Sequence, residues 1–283
     1  MTQDEQDRVE PRTREAYERV AGWYRDFIEE ADNANNLAEV PAMRRLIGDV
    51  RGLRILDLGC GQGRYSIWCA QWGARVVGLE LSERMVALGR AAAERARVTV
   101  DFRVGPASDL AHFPSASFDG VVSGMAVDYF DDLPAVAAQI HRVLRPGGWF
   151  VFSVCHPIRL AGERVETAEG PVRIVSRYFE KGVKEWRWMR DDHHELVPTW
   201  GYLRTVADYV DVLAEAGFLV ERLWEPEPVP EARELYPGKY ADLIAAPQFL
   251  LIRAIKPRCP QGGDGTPAWA AGGGQAAGES GAG

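Results

Sequence analysis

Between Arg54 and Cys155 short β-rich bursts alternate with helical stretches, and this alternation restricts the chain more than any other feature. The bursts are Arg54–Leu58, Arg75–Leu79, Val98–Val104, Phe118–Ser123 and Trp149–Cys155. The helical stretches are Arg64–Gln71, Ser82–Arg97 with Ser82 as N-cap, and Pro134–Leu144, which stops before Arg145-Pro146-Gly147-Gly148. Strands that return through helices pair in parallel, and a parallel sheet must be covered on both faces. Right-handed crossovers then fix most of the topology. The expectation is an α/β fold.

The flanks are read the same way. Residues 1–15 are charged and expected to fray, and from Glu15 the spacing of Tyr17, Val20, Ala21, Tyr24, Phe27 and Ile28 predicts an amphipathic helix. A second helix is predicted over Ala38–Ile47, with Pro41 in its first turn. After Cys155 the rhythm breaks into clustered aromatics and charge. It resumes with a helix at Val206–Ala216, closed by Gly217, and strands at Leu219–Leu223 and Phe249–Ile255. From Pro257 onward Gly, Ala and Pro dominate, a composition that buries no core and is expected to be disordered. The expected organisation is a helical lid (1–48), a core (49–156), a substrate cover (157–204), the C-terminal part of the core (205–256) and a tail (257–283).

Composition narrows the partners. With 33 Lys+Arg against 41 Asp+Glu the net charge is −8, the wrong sign for a chain that draws affinity from a phosphate backbone. No apolar run is long enough to span a bilayer, and the acidic start MTQDEQDRVE is unlike a signal peptide, so no membrane association and a cytoplasmic location are expected. Cys60, Cys69, Cys155 and Cys259 show neither CxxC spacing nor close pairing with histidine, so no metal site and no disulfide framework is expected.

The chemistry concentrates at Asp57-Leu58-Gly59-Cys60-Gly61-Gln62-Gly63, where a strand ends and a helix opens. Glycines let the backbone approach a ligand, and the helix start presents free N–H groups. Arg64 stands where a dinucleotide fingerprint from Gly59 needs glycine or alanine, and no Gly-Lys-Ser/Thr follows, so a pyrophosphate loop is disfavoured. The next strand ends in Gly78-Leu79-Glu80, and a carboxylate there suits the two hydroxyls of a ribose.

Ile55–Gly63, Val77–Ser82, Phe118–Ser123 and Val143–Gly148, in that order and spacing, resemble the successive motifs of class I S-adenosylmethionine-dependent methyltransferases over about residues 15–255. The resemblance implies a Rossmann-like, seven-stranded, mostly parallel sheet of order 3-2-1-4-5-7-6, helices on both faces and an inserted aromatic-rich cover. The implied cofactor is S-adenosyl-L-methionine. Asp57, Gly59, Cys60, Gly61 and Gly63 match the part that holds its methionine moiety, Glu80 the ribose carboxylate and Leu81 the residue beside adenine. Ala107 and Ser108 match backbone contacts to adenine, Ser123 and Met125 the lining of the sulfonium site, and Tyr24 a lid residue. Pro106 stands where an aspartate often meets the adenine amino group, so that contact is lost or comes from Ser108 or Asp109.

Methyl transfer is an in-line displacement, so alignment and exclusion of water carry most of the catalysis. A hydroxyl acceptor also wants a base, and His156, directly after the fifth strand, is the leading candidate ahead of His193 and His194. Tyr178, Trp186, Trp200 and Tyr202 suggest walls for a flat or cationic acceptor, alongside Met125. The expected function is methylation of a small, ring-containing metabolite at N, O or C, by a monomer or homodimer. The alternatives are an RNA or protein methyltransferase and a non-catalytic binder of the same cofactor.

Overall fold

Seven strands form one sheet in the computed structural model, which describes residues 8–258. They are β1 (Arg54–Leu58), β2 (Arg75–Glu80), β3 (Asp101–Val104), β4 (Phe118–Gly124), β5 (Leu144–Cys155), β10 (Leu219–Trp224) and β11 (Phe249–Ile255). Their spatial order is β3-β2-β1-β4-β5-β11-β10. All pairings among the first five are parallel, and β11 runs antiparallel to both neighbours. This is the 3-2-1-4-5-7-6 order implied by the sequence motifs.

Successive residues of each central strand point to opposite faces, so apolar pairs divide between two cores. Leu56, Val77, Val121, Phe150 and Leu250 face one layer, with Ile140 of α5 (Leu133–Val143) and Tyr209 and Leu213 of α7 (Val206–Glu215). Ile55, Val76, Val122, Val151 and Leu251 face the other, with Met43 of α2 (Val40–Ile47) and Tyr65 and Cys69 of α3 (Arg64–Gln71). Near-continuous apolar runs in the strands are the sequence trace of this double burial. Helix α4 (Glu83–Ala96) starts at Ser82, whose hydroxyl accepts from the Met85 N–H at 3.1 Å, and packs Val86 on Phe102 of β3.

The flanks depart from expectation. Helix α1 spans Val9–Glu29, so residues 9–15 are helical rather than frayed. Asp131 explains the longer start: its carboxylate accepts the Val9 N–H at 2.7 Å and the Glu10 N–H at 3.4 Å, supplying from a distant loop the cap the helix lacks locally. Pro11 falls in the first turn, where no N–H is missed. A π-helical turn, Asn35–Glu39, precedes α2, so that helix begins later than its apolar spacing suggests. β3 begins at Asp101, not Val98, whereas β5 begins at Leu144 and runs through Pro146 and Gly147 before the regular register.

The region after Cys155 is ordered. It holds a short helix, α6 (Pro157–Ala161), and two antiparallel hairpins, β6 (Gly162–Thr167) with β7 (Gly170–Val175) and β8 (Gly182–Arg190) with β9 (Leu196–Leu203). The second hairpin buries Met189 and Val197 against Ala16 and Val20 of α1, and Trp188 meets Trp23, Tyr24 and Phe27 at its edge. Helix α1 and the second hairpin are therefore one packed unit. Two further helices, α8 (Ala232–Leu235) and α9 (Pro237–Ala245), precede β11. Residues 259–283, most of the tail expected to be disordered, lie outside the described residues, as do residues 1–7.

Gly120 on β4 lies under the indole of Trp149 on β5, and a methyl group there would overlap the ring. Gly120→Ala is expected to lower stability by about 1–3 kcal/mol through overpacking, read as a lower urea midpoint at unchanged slope.

Candidate functional site

The site is built at the carboxyl ends of β1, β2 and β4, where the strand order reverses about β1. The chain leaves β1 through Gly59 at φ +65°, where a β-carbon would overlap that of Ala126, so only glycine lets the two turns touch. The Gly59 and Cys60 amides donate to the Leu79 carbonyl at 2.8 and 3.1 Å, tying the turn to β2. Gly63, at φ +85°, opens α3 over the ring of Phe102.

Two carboxylates face one another across this turn. Glu80 accepts from the Gly61 N–H at 2.9 Å and the Ser82 N–H at 3.0 Å, one on each oxygen. The group is locked in one orientation and each oxygen keeps a lone pair for a further donor. Burial raises its pKa and these backbone donors oppose the rise. Asp57 is only 1% exposed, and its Oδ2 accepts from the Ser66 hydroxyl at 2.6 Å while its Oδ1 has no partner. Burial pushes its pKa up to about 7, with Ser66 acting against the rise and Glu80 adding to it. A buried carboxylate oxygen without a donor calls for one, and a cationic donor suits it best.

A cleft of about 970 Å³, counted to its open mouth, joins these groups. Of the residues expected from sequence, Tyr24, Asp57, Gly59, Cys60, Gly61, Glu80, Leu81, Ala107 and Met125 line it. Met125 holds a left-handed φ of +56°, its amide fixed by the carbonyl and hydroxyl of Ser153 at 3.0 and 3.1 Å.

The others stand elsewhere. His156 is fully buried as the N-cap of α6: Nδ1 accepts from the Ile158 N–H at 3.1 Å, and Nε2 lies 2.9 Å from Glu225 Oε1. Its imidazole is committed at both nitrogens and is not at the cleft, so its position at the end of β5 reflects helix capping. Ser123 is buried and donates to the Leu58 carbonyl at 2.9 Å, bracing β4 on β1. Gly63 shapes the turn from behind, and Ser108 donates to Glu10 Oε2 at 3.4 Å. The aromatic walls are struts of the cover: Tyr178 accepts from the Val206 N–H, Trp186 packs under Gly201, Trp200 stacks beneath Arg12, and Tyr202 donates to Asp131 at 3.0 Å.

Several lining residues lie outside the set expected at the site. Glu39, 1% exposed, accepts from the hydroxyls of Tyr65 at 2.7 Å and Ser153 at 2.5 Å, and burial raises its pKa. Its signal was a lone acid within an apolar helical stretch. Tyr17 and Tyr129 share a hydroxyl contact of 3.3 Å, and burial raises both phenols, keeping them neutral. Glu10 and Thr13 also line the cleft. Among the described residues no group of three or more His, Cys, Asp or Glu is placed to hold a metal ion, and no helix is long and apolar enough to cross a membrane.

Residues 56–152 match the family model described as a methyltransferase domain. A solved S-adenosylmethionine dependent methyltransferase from Mesorhizobium loti superposes with a TM-score of 0.66 at 33% identity, covering 77% of this chain and 97% of that one. A ubiquinone biosynthesis O-methyltransferase of Xanthomonas oryzae pv. oryzae is 36% identical over 162 residues, 55% of this chain and 68% of the relative. Nocamycin O-methyltransferase of Saccharothrix syringae is 42% identical over 141 residues, and there the match spans about half of each protein, 47% and 49%.

The raised pKa of Asp57 has a consequence for stability. Its folded pKa of about 7 lies above the unfolded value, so the contribution is complete in acid and lost as pH rises through 7. Between pH 5.5 and 8 the ligand-free protein is expected to lose about 2 kcal/mol from this group. Thermal melts across that range should show a smaller fall in Asp57→Asn than in the wild type.

Proposed function

The chain belongs to the S-adenosylmethionine-dependent methyltransferases, and we propose that its acceptor is a small, ring-bearing molecule methylated at oxygen. The observation that carries the site assignment is the orphaned Oδ1 of Asp57, buried in the cleft beside a Glu80 carboxylate already fixed by two amides. The cofactor's ammonium group answers the first and its ribose hydroxyls the second, so the residues present fit it. The named relatives at 36% and 42% identity are O-methyltransferases, which supports an oxygen acceptor. Rings of Tyr17, Tyr24 and Tyr129 line the same cleft, which supports a flat, small acceptor over a polymer, as does the net charge of −8.

Bound S-adenosylmethionine supplies the methyl carbon already attached to a sulfonium leaving group. The chain's work is alignment. Glu80 and Asp57 fix the sugar and the amino end, so the position of the methyl group follows from the turn geometry. Tyr17 and Tyr24, edge to face at 5.3 Å on α1, close the cleft from above and exclude water. The tyrosines act as neutral hydrogen-bonding walls, not as bases, because burial raises their pKa values.

Calorimetric titration with S-adenosylhomocysteine tests the site. The wild type is expected to bind, and Glu80→Ala to lose about ten- to hundredfold in affinity, the worth of a charge-assisted hydrogen bond. Affinity should rise about tenfold from pH 6 to pH 8 as Asp57 ionises, and this dependence should vanish in Asp57→Asn. A wild type that binds no cofactor product refutes the site. Failure of every phenolic or other hydroxylated ring acceptor, alongside turnover of RNA or peptide, refutes the acceptor class.

A further inference from the structure

Two side-chain atoms on α1, Glu10 Oε1 and Thr13 Oγ1, are buried without any hydrogen-bond partner, and both residues line the cleft. Thr13 is 7% exposed, three residues from Glu10 on the same helical face. Unpartnered buried oxygens cost free energy unless a ligand supplies the missing donor.

Strand order decides which part of a ligand reaches these two oxygens. The proposed amino-end site, Asp57, sits on β1, the ribose site, Glu80, on β2, and the segment Gly105–Ala107 follows β3 on the far side of β2. A nucleoside whose sugar is held at Glu80 and whose tail runs back over β1 must project its base the other way, over the ends of β2 and β3. Leu81, Gly105 and Ala107 line the cleft there. Glu10 belongs to the same end, because its Oε2 accepts from Ser108, the next residue, at 3.4 Å. Pro106 offers this corner no side-chain acceptor, and Asp109 spends its Oδ1 on the Ala111 amide at 3.2 Å, in its own turn.

We infer that Glu10 reads the base: its free Oε1 accepts the exocyclic amino group of adenine, with the Thr13 hydroxyl completing the polar edge. The base-reading acceptor has thus moved from the sheet to the lid. Ser108 orients the carboxylate, and the Asp131 latch on the Val9 and Glu10 amides holds the first turn of α1 in place. Only a closed lid then recognises adenine, which couples recognition of the base to closure over the reacting centre. The inference rests on the cofactor site proposed above.

The test compares two ligands on the full chain by calorimetry: S-adenosylhomocysteine and S-inosylhomocysteine, in which an oxo group replaces the amino group. A carboxylate accepts from the amino group and repels the oxo group, so the wild type is expected to prefer adenine by about ten- to hundredfold. Glu10→Ala removes both the acceptor and the repulsion, so it should weaken S-adenosylhomocysteine and tighten S-inosylhomocysteine, bringing the ratio near one. Glu10→Gln keeps the size and adds a donor for the oxo group, so it should tighten S-inosylhomocysteine above its wild-type affinity. Equal weakening of both ligands in Glu10→Ala, or an unchanged ratio in both variants, overturns the base-reading role while leaving the cofactor site standing. A wild type that binds neither ligand overturns both.

Discussion

The cleft depends on a close approach of two turns that only glycine permits. Gly59 touches Ala126, so the turn after β1 meets the turn after β4 directly, with no side chain between them. That contact, with the Gly59 and Cys60 amides on the Leu79 carbonyl, aims the Gly61 amide at Glu80. A carboxylate at the end of a strand would otherwise swing into water. Held at both oxygens, it is a rigid acceptor whose rotamer is set before any ligand arrives, and preorganisation of this kind removes an ordering cost from binding. Asp57 shows the complementary arrangement. It is buried with one oxygen unanswered by the protein, an electrostatic cost that a cationic partner relieves.

Helix α1 is held from the sheet side at its start by Asp131 and further along by Arg84 on the Glu18 carbonyl and Arg64 on the Ile28 carbonyl, both at 2.6 Å. Asp131 caps α1 and accepts from Tyr202 on β9, so the start of the lid, the cover hairpin and the loop after β4 share a single acceptor. Trp23, Tyr24 and Phe27 of α1 then lock onto Trp188 of β8 further along. Opening α1 therefore means breaking its bonds to Asp131, Arg64 and Arg84 and either moving the hairpin with it or breaking the aromatic contact. An element packed in this way on its neighbour moves with it as one body.

Legibility from sequence followed the range of the interactions. The five central strands and the glycine turn were readable because strand periodicity, terminal glycines and N-caps are local signals. Residues 9–15 looked frayed because their cap is Asp131, more than a hundred positions away. The region after Cys155 looked irregular because its hairpin residues answer to α1 as well as to each other, which leaves no clean alternation. His156 was misleading for a related reason. The end of a core strand is where reactive groups gather, but it is also where the next helix needs a cap, and Nδ1 serves that need here. Trp186, Trp200 and Tyr178 carried the signature of a substrate wall and turned out to brace the cover, because aromatics staple thin layers as readily as they line pockets.

The charge balance of the cleft bears on turnover. Its lining holds the carboxyl groups of Glu10, Glu39, Asp57 and Glu80 against one guanidinium, Arg64, which is already engaged by the Asn36 side chain and the Ile28 carbonyl at 2.6 Å each. Such a surface favours a ligand carrying positive charge, and at an effective dielectric near 20 a unit charge about 8 Å away is worth roughly 2 kcal/mol. The methyl donor brings a sulfonium cation and the product lacks it, so the same field holds substrate more strongly than product. Favouring the charged ground state works against the chemical step, in which that charge is dispersed. It assists exchange of spent product for fresh donor. With no histidine at the cleft to accelerate the chemistry by proton transfer, the geometry is arranged to fix the reactants and let the product go.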